Sequence, residues 1–216
     1  LSVIFAVILL KIMTLYERDE KTPYAGALAV GTSNWGYFGV PIAFALFEPQ
    51  VVAAYMMIGF GLQLFENTFG IYFISRGTMS PRDSFFNIFR LPPFYAIFVG
   101  LLLSALDTPI PQQALELLEL FKGAYTVMGM MIIGLGLAAL TRFTIDLKFV
   151  ATMFGVRFLL WPALAVGLVA LDQQLNILGE LYHAPLLVFS VMPMAANNIA
   201  FAAQFDMNPG KMSVAV

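Results

Sequence analysis

The chain divides into seven long apolar runs with short polar segments between them, at roughly 1–15, 24–48, 51–75, 92–106, 122–141, 148–171 and 182–205. A helix needs about 20 predominantly apolar residues to cross a bilayer. Charged residues make up 11% of the chain and hydrophobic ones 60%, whereas an ordinary soluble domain is about 25% charged. The expected class is an all-α integral membrane protein. The first run reads as the tail of a span, and Pro92-Pro93 fixes the start of the short fourth. Gln112–Lys122 carries Glu116 and Glu119 among leucines and is expected at the interface ahead of the fifth. Leu1 opens directly into apolar sequence, and Pro209-Gly210-Lys211 near the end reads as the start of another helix. Both ends suggest an excerpt of a longer protein.

Composition also removes whole function classes. There is no cysteine and a single histidine, so no thiolate or histidine-rich metal site is expected. A net charge of −2 gives no reason to expect a nucleic-acid partner. No phosphate loop, nucleophile triad or metal cluster is present in the sequence, so neither an enzyme nor a cofactor is expected.

Alternating the runs across a bilayer separates the basic residues. Lys11, Arg18, Lys21, Arg76, Arg82, Arg90, Arg142, Lys148 and Lys211 fall on one side, and Lys122 alone falls on the other. Cytoplasmic loops carry such an excess of Lys and Arg. The basic side is therefore expected to be cytoplasmic, in a plasma membrane or a bacterial inner membrane. Arg76, Arg82 and Arg90 are expected to touch anionic lipid there.

Two runs are interrupted. Asn34-Trp35-Gly36-Tyr37-Phe38-Gly39-Val40-Pro41 breaks the second, and Met192-Pro193-Met194-Ala195-Ala196-Asn197-Asn198 breaks the seventh. Ile42-Ala-Phe-Ala45 follows the first break and Ile199-Ala-Phe-Ala202 the second, each leading to an acid (Glu48, Asp206) and a proline (Pro49, Pro209). The two broken runs would cross in opposite directions. Paired interrupted segments in corresponding halves point to a transporter's binding site built from inverted repeats. Half-helix N-termini there would suit an anion, with Asn34, Asn197 and Asn198 as non-titrating ligands. The competing reading is a plain proline kink with asparagines bonding between helices.

Glu66, within Gln63-Leu-Phe-Glu66-Asn67, is the one acid away from the ends of a run, and Arg157 the one base. Each lies about 13–14 Å deep at 1.5 Å per residue. Buried charges in membranes pair or face water. Glu66 and Arg157 are expected to approach each other or a shared polar cavity, Glu66 as a candidate proton site or both as a structural ion pair. His183, at the start of the last run, reads as an interfacial histidine with no partner and no role in function, with pH sensing as the competing reading. Gly129–Gly136 reads as a close-packing stripe.

Asn34-x-Gly36-x-x-Gly39-x-Pro41, followed by Ala45-Leu46-Phe47, resembles the fourth span of the auxin efflux carrier family. Met192-Pro193-x-Ala195-x-Asn197, then Ala203-x-Phe205 and Pro209, resembles its ninth, and Arg157 ahead of Pro162 its eighth. The resemblance implies a ten-span fold of two inverted five-helix repeats, similar to that of bile acid–sodium symporters, with the first two spans and most of the tenth lying outside this sequence. It implies that 1–75 and 148–216 belong to a mobile transport domain and 92–141 to a scaffold that makes a homodimer contact. Pro41 and Pro193 would be the crossing prolines, with Asn34 and Asn197 near the substrate. Family members move organic anions such as auxin, malate or malonate, and the short loop at 76–91 looks like a compact bacterial-type member. Coupling to protons, coupling to sodium, uniport, and a sensor that binds without transporting all stay open.

Overall fold

A computed structural model describes residues 1–17, 19–138 and 145–216. Arg18 and Arg142, counted on the basic side above, lie outside the described residues, as do the side chains of Lys122 and Thr126. Every regular element described is helical.

Helix α1 (Ser2–Tyr16) is followed by α2 (Lys21–Gly31), whose start is held by Asp19. The Asp19 carboxylate accepts from the Lys21 N–H at 3.1 Å and from the Thr22 hydroxyl at 2.7 Å. The run Ala25-Gly26-Ala27 keeps α2 narrow and buried, and it packs along α1, as small residues allow between apolar helices. Residues 32–34 are not helical, and a π-helical turn at Trp35–Gly39 then leads into α3 (Val40–Leu46).

Helix α4 (Pro49–Phe65) runs through a π-turn at Glu66–Gly70 into α5 (Ile71–Arg76). The basic loop expected at 76–91 contains a helix, α6 (Pro81–Ile88). The Ser80 hydroxyl caps it by accepting from the Asp83 N–H at 3.2 Å, and Pro81 suits a first helical turn because it has no N–H to satisfy. Next come α7 (Pro92–Ala105) and α8 (Gln112–Ala138). The segment at 112–122, expected at the interface, is helical and continuous with the run that follows, as the first part of α8. No proline or glycine stands between Gln112 and Lys122 to end a helix, and two acids do not.

The chain continues as α9 (Leu147–Gly155), a π-turn at Val156–Leu160 and α10 (Trp161–Leu175). After a 3-10 turn at Glu180–Tyr182 come α11 (His183–Val191), α12 (Asn197–Gln204) and α13 (Pro209–Ala215). Pro49 and Pro209 each open a helix, as the matching flanks suggest.

Among the described residues, Gln112–Ala138 and Leu147–Leu175 are single helices long and apolar enough to cross a membrane. The pair α6 and α7, bent by 46°, makes a third if counted as one span. The first run is a single shorter helix, α1, and the second, third and seventh runs are pieces joined at breaks or a π-turn. The main core draws on α1, α2, α5, α9, α12 and α13 through Met13, Leu28, Ile71, Phe149, Ile199 and Met212. By contrast α7 buries none of its side chains.

Candidate functional site

The two breaks meet. The Asn34 N–H donates to the Pro193 carbonyl at 2.8 Å, so each break satisfies part of the other's exposed backbone. The second break, 192–196, contains Pro193 as expected. The first does not contain Pro41: the chain leaves helical geometry at 32–34, and Pro41 lies exposed in the first turn of α3. Its crossing residue is thus Asn34. The physical reason is the widened turn between them. The Gly39 N–H reaches back five residues to the Asn34 carbonyl at 3.0 Å, and a π-turn of that kind relieves the clash of a proline ring with the preceding turn. Gly39 is required by close approach, since a Cβ there would stand 1.8 Å from the Tyr55 hydroxyl.

Side chains gather at the crossing. The Tyr37 hydroxyl donates to Asn197 Oδ1 at 3.0 Å, and Asn197 Nδ2 donates to Glu66 Oε1 at 2.9 Å. The Thr32 hydroxyl donates to Asn198 Oδ1 at 3.0 Å. Ser33 Oγ, Asn34 Oδ1 and Asn198 Nδ2 are buried with no hydrogen-bond partner. Buried polar atoms are almost always paired, so three orphans at one seam distinguish it from ordinary packing. A cavity of about 10 Å³ lies here, lined by Ser33, Asn34, Tyr37, Gln63, Glu66 and Asn197 among others. That is room for about one water, so a larger ligand requires side chains to move. Gly36 also lines the cavity, and the Tyr125 hydroxyl of α8 would stand 3.0 Å from a Cβ placed there. The Tyr125 ring sits 4.2 Å from that of Tyr37.

Glu66 and Arg157, both 2% exposed, do not form the expected ion pair: no described salt bridge joins them. Each has a different partner. Glu66 takes Asn197, whereas Arg157 donates through Nε to the Met192 carbonyl and through Nη2 to the Phe189 carbonyl at 2.8 Å. Arg157 therefore closes the C-terminal end of α11, where helix carbonyls lack partners and a cation is favoured. One turn on, Trp161 Nε1 donates to the Val30 carbonyl at 2.9 Å, near the end of α2. Residues four apart share a helix face, so one face of this helix caps the half-helices leading into both breaks. Arg157 also lines an apolar cavity of about 470 Å³ with Leu62, Phe65 and Phe189. Asn67 turns away from Glu66, its Nδ2 donating to the Gln63 carbonyl at 2.9 Å.

Polar ties hold the same elements at the opposite end. Lys21 on α2 bonds the Asp206 carboxylate at 2.5 Å, and Lys211 on α13 bonds Asp146, ahead of α9, at 2.9 Å. Asn208 bridges to Asp19 and Thr22. The bond from Lys211, joined by that from the Phe149 N–H, holds the Asp146 carboxyl below the usual carboxylate range. His183, read as lacking a partner, has one: its Nε2 lies 2.8 Å from Asp172 Oδ2. Asp172 also accepts from the N–H groups of Ile177, Leu178 and Gly179. The pairing fastens the α10–α11 connection.

The sequence reading named Asn34, Gly36, Gln63, Glu66 and Asn197, and the structure brings them together around the small cavity. It missed Thr32, Ser33, Tyr37, Tyr125 and Trp161. Tyr37 lies inside the first break motif, where its polar tip is the available signal. Tyr125 comes from another helix and carried none. A family model described as "membrane transport protein" matches residues 1–216. No curated protein and no solved structure matches the chain.

Proposed function

Because this chain belongs to the membrane transport protein family, that of the auxin efflux carriers, we propose that it carries a small organic anion by alternating access. The observation that supports this most directly is the seam itself, where the Asn34 N–H bonds the Pro193 carbonyl beside buried polar atoms without partners. In lipid, irregular backbone is tolerated where it is buried or lines a cavity, and unpartnered polar atoms are a cost that a bound ligand removes. Ser33 and the amides of Asn34 and Asn197 supply the hydrogen-bonding groups around the cavity.

In this reading 1–75 and 148–216 form the moving part and 92–141 the scaffold, with the bare face of α7 against lipid or a second copy. The broken helices run in opposite directions, and the Lys- and Arg-rich face is cytoplasmic. Titrating the purified protein in detergent with malate, malonate and indole-3-acetate tests the site. At least one should bind, and Asn34→Ala and Asn197→Ala should each weaken it about tenfold, the worth of about 1.4 kcal/mol. Unchanged affinity in both variants would remove the ligand from this seam.

A further inference from the structure

The crossing cavity presents a charge problem to any anion. Glu66 lines it, is 2% exposed, and has a neutral amide, Asn197, as its hydrogen-bond partner. Among the described residues lining the cavity there is no lysine or arginine. The buried cation of the neighbourhood, Arg157, has its Nε and Nη2 on the carbonyls of Met192 and Phe189.

The other titratable groups around Glu66 do not neutralise it either. Tyr37 and Tyr125 face the cavity. On the elements packed against the Glu66 turn, Tyr55 of α4 donates to the Trp35 carbonyl, and Arg76 of α5 to the Met79 carbonyl. Lys21 of α2 is bound to Asp206, Tyr24 lies beneath Arg76, and Tyr95 of α7 donates to the Phe89 carbonyl. An incoming carboxylate about 4 Å from an ionised Glu66 would lose on the order of a thousandfold in affinity at an effective dielectric of about 20.

A proton removes the conflict. Protonated, the carboxyl is neutral and gains an O–H donor, so the group that repelled the anion becomes one of its ligands. Resting on the organic-anion reading above, we infer that each anion enters this cavity together with one proton carried on Glu66. The proton comes from water on the side of entry, sits on a Glu66 carboxyl oxygen while the site is occupied, and leaves with the anion on the other side. No bond in the substrate changes. The loaded carrier (neutral Glu66 plus a monocarboxylate) and the unloaded one (ionised Glu66) then carry the same charge. A monocarboxylate would cross without net charge movement, and a fully ionised dicarboxylate would move one negative charge.

Isothermal calorimetry of malonate binding decides this, run in buffers of different ionisation enthalpy at a pH where malonate is fully ionised. The wild-type protein should take up about one proton per malonate bound, and its affinity should fall about tenfold per pH unit once Glu66 ionises in the free protein. Glu66→Gln should bind with no proton uptake and no such pH dependence. In proteoliposomes the charge moved per malonate should rise from one to two in that variant. Binding to the wild type without proton uptake would overturn the inference and leave the carrier reading standing. Folded wild-type protein that binds none of malonate, malate and indole-3-acetate would overturn the carrier reading, and the inference with it. The proton count on the wild type decides the matter even if Glu66→Gln does not fold.

Discussion

The two breaks look alike in sequence and are held by different chemistry. At the first, the carbonyls ending α2 meet neutral donors: the Thr32 N–H reaches the Ala29 carbonyl at 3.3 Å, and Trp161 reaches Val30. At the second, the carbonyls ending α11 meet the guanidinium of Arg157. A charge-assisted hydrogen bond is roughly twice as strong as a neutral one, and a cation also complements the negative end of a helix. Similar flanking order therefore does not mean equivalent halves. The first break contributes Asn34 and Ser33 to the cavity, while the second is fixed from behind by a charge that leaves the cavity itself without a cation. Both caps come from one face of the α9–α10 helix, one turn apart, with Arg157 lying 5.9 Å over the Trp161 ring.

The widest gap between the breaks should appear when the caps are removed. Arg157→Met removes two charge-assisted hydrogen bonds, leaving the Phe189 carbonyl with only the Met192 N–H at 3.4 Å, at about 1.5–3 kcal/mol each, or roughly 3–6 kcal/mol together. Trp161→Phe removes one donor and keeps most of the ring, so it should cost about 1–3 kcal/mol. Denaturant unfolding in detergent micelles compares them. Equal losses would mean that the guanidinium adds nothing beyond a neutral donor and that the two breaks are equivalent after all.

How far the site could be read in advance follows from which partners a sequence displays. Glycine, proline and asparagine mark an interrupted helix by their own chemistry, so both breaks and the residues Asn34, Asn197 and Glu66 were visible. The position of the first break was not. Nothing in Thr32-Ser33-Asn34 stops a helix as proline does, and the bond that goes with the opening there is to Pro193, 159 residues away in the chain. Arg157 was visible as a buried charge, but its partners are main-chain carbonyls, which every residue has and no pattern singles out. A buried arginine is expected to pair with an acidic side chain such as Glu66, and here main-chain carbonyls take that place. The full length of α8 was obscured by Glu116 and Glu119, because acids among leucines resemble an interface as much as the end of a long helix.

A smaller effect tests whether the first break steadies the second. Tyr37, in the π-turn of the first, donates to Asn197 of the second. Tyr37→Phe removes that bond and keeps the ring against Tyr125, so stability should fall by about 0.5–1.5 kcal/mol. If Asn197 is held for a ligand by this bond, malonate affinity should fall with it. A stability loss without any change in affinity would separate the two roles and place Tyr37 in packing alone.

The ties at the lysine-rich face should matter least, although they join the same helices. Lys211 and Asp146 are 31% and 29% exposed, and pairs of that kind contribute about 0.2–1 kcal/mol, less at high salt. Since the folded-state carboxyl of Asp146 is held below its ordinary value of 3.8, the contribution is fully present above that value and disappears as pH falls through the lowered one. Asp146→Asn should therefore lose this small increment at neutral pH, and its difference from wild type should shrink on acidification and in concentrated salt. The buried caps at the breaks should respond to neither. If the Asp146→Asn loss rivalled that of Arg157→Met, or ignored salt, the face ties rather than the crossing would hold the broken helices together, and the contrast between the two breaks would be secondary to the clamp outside them.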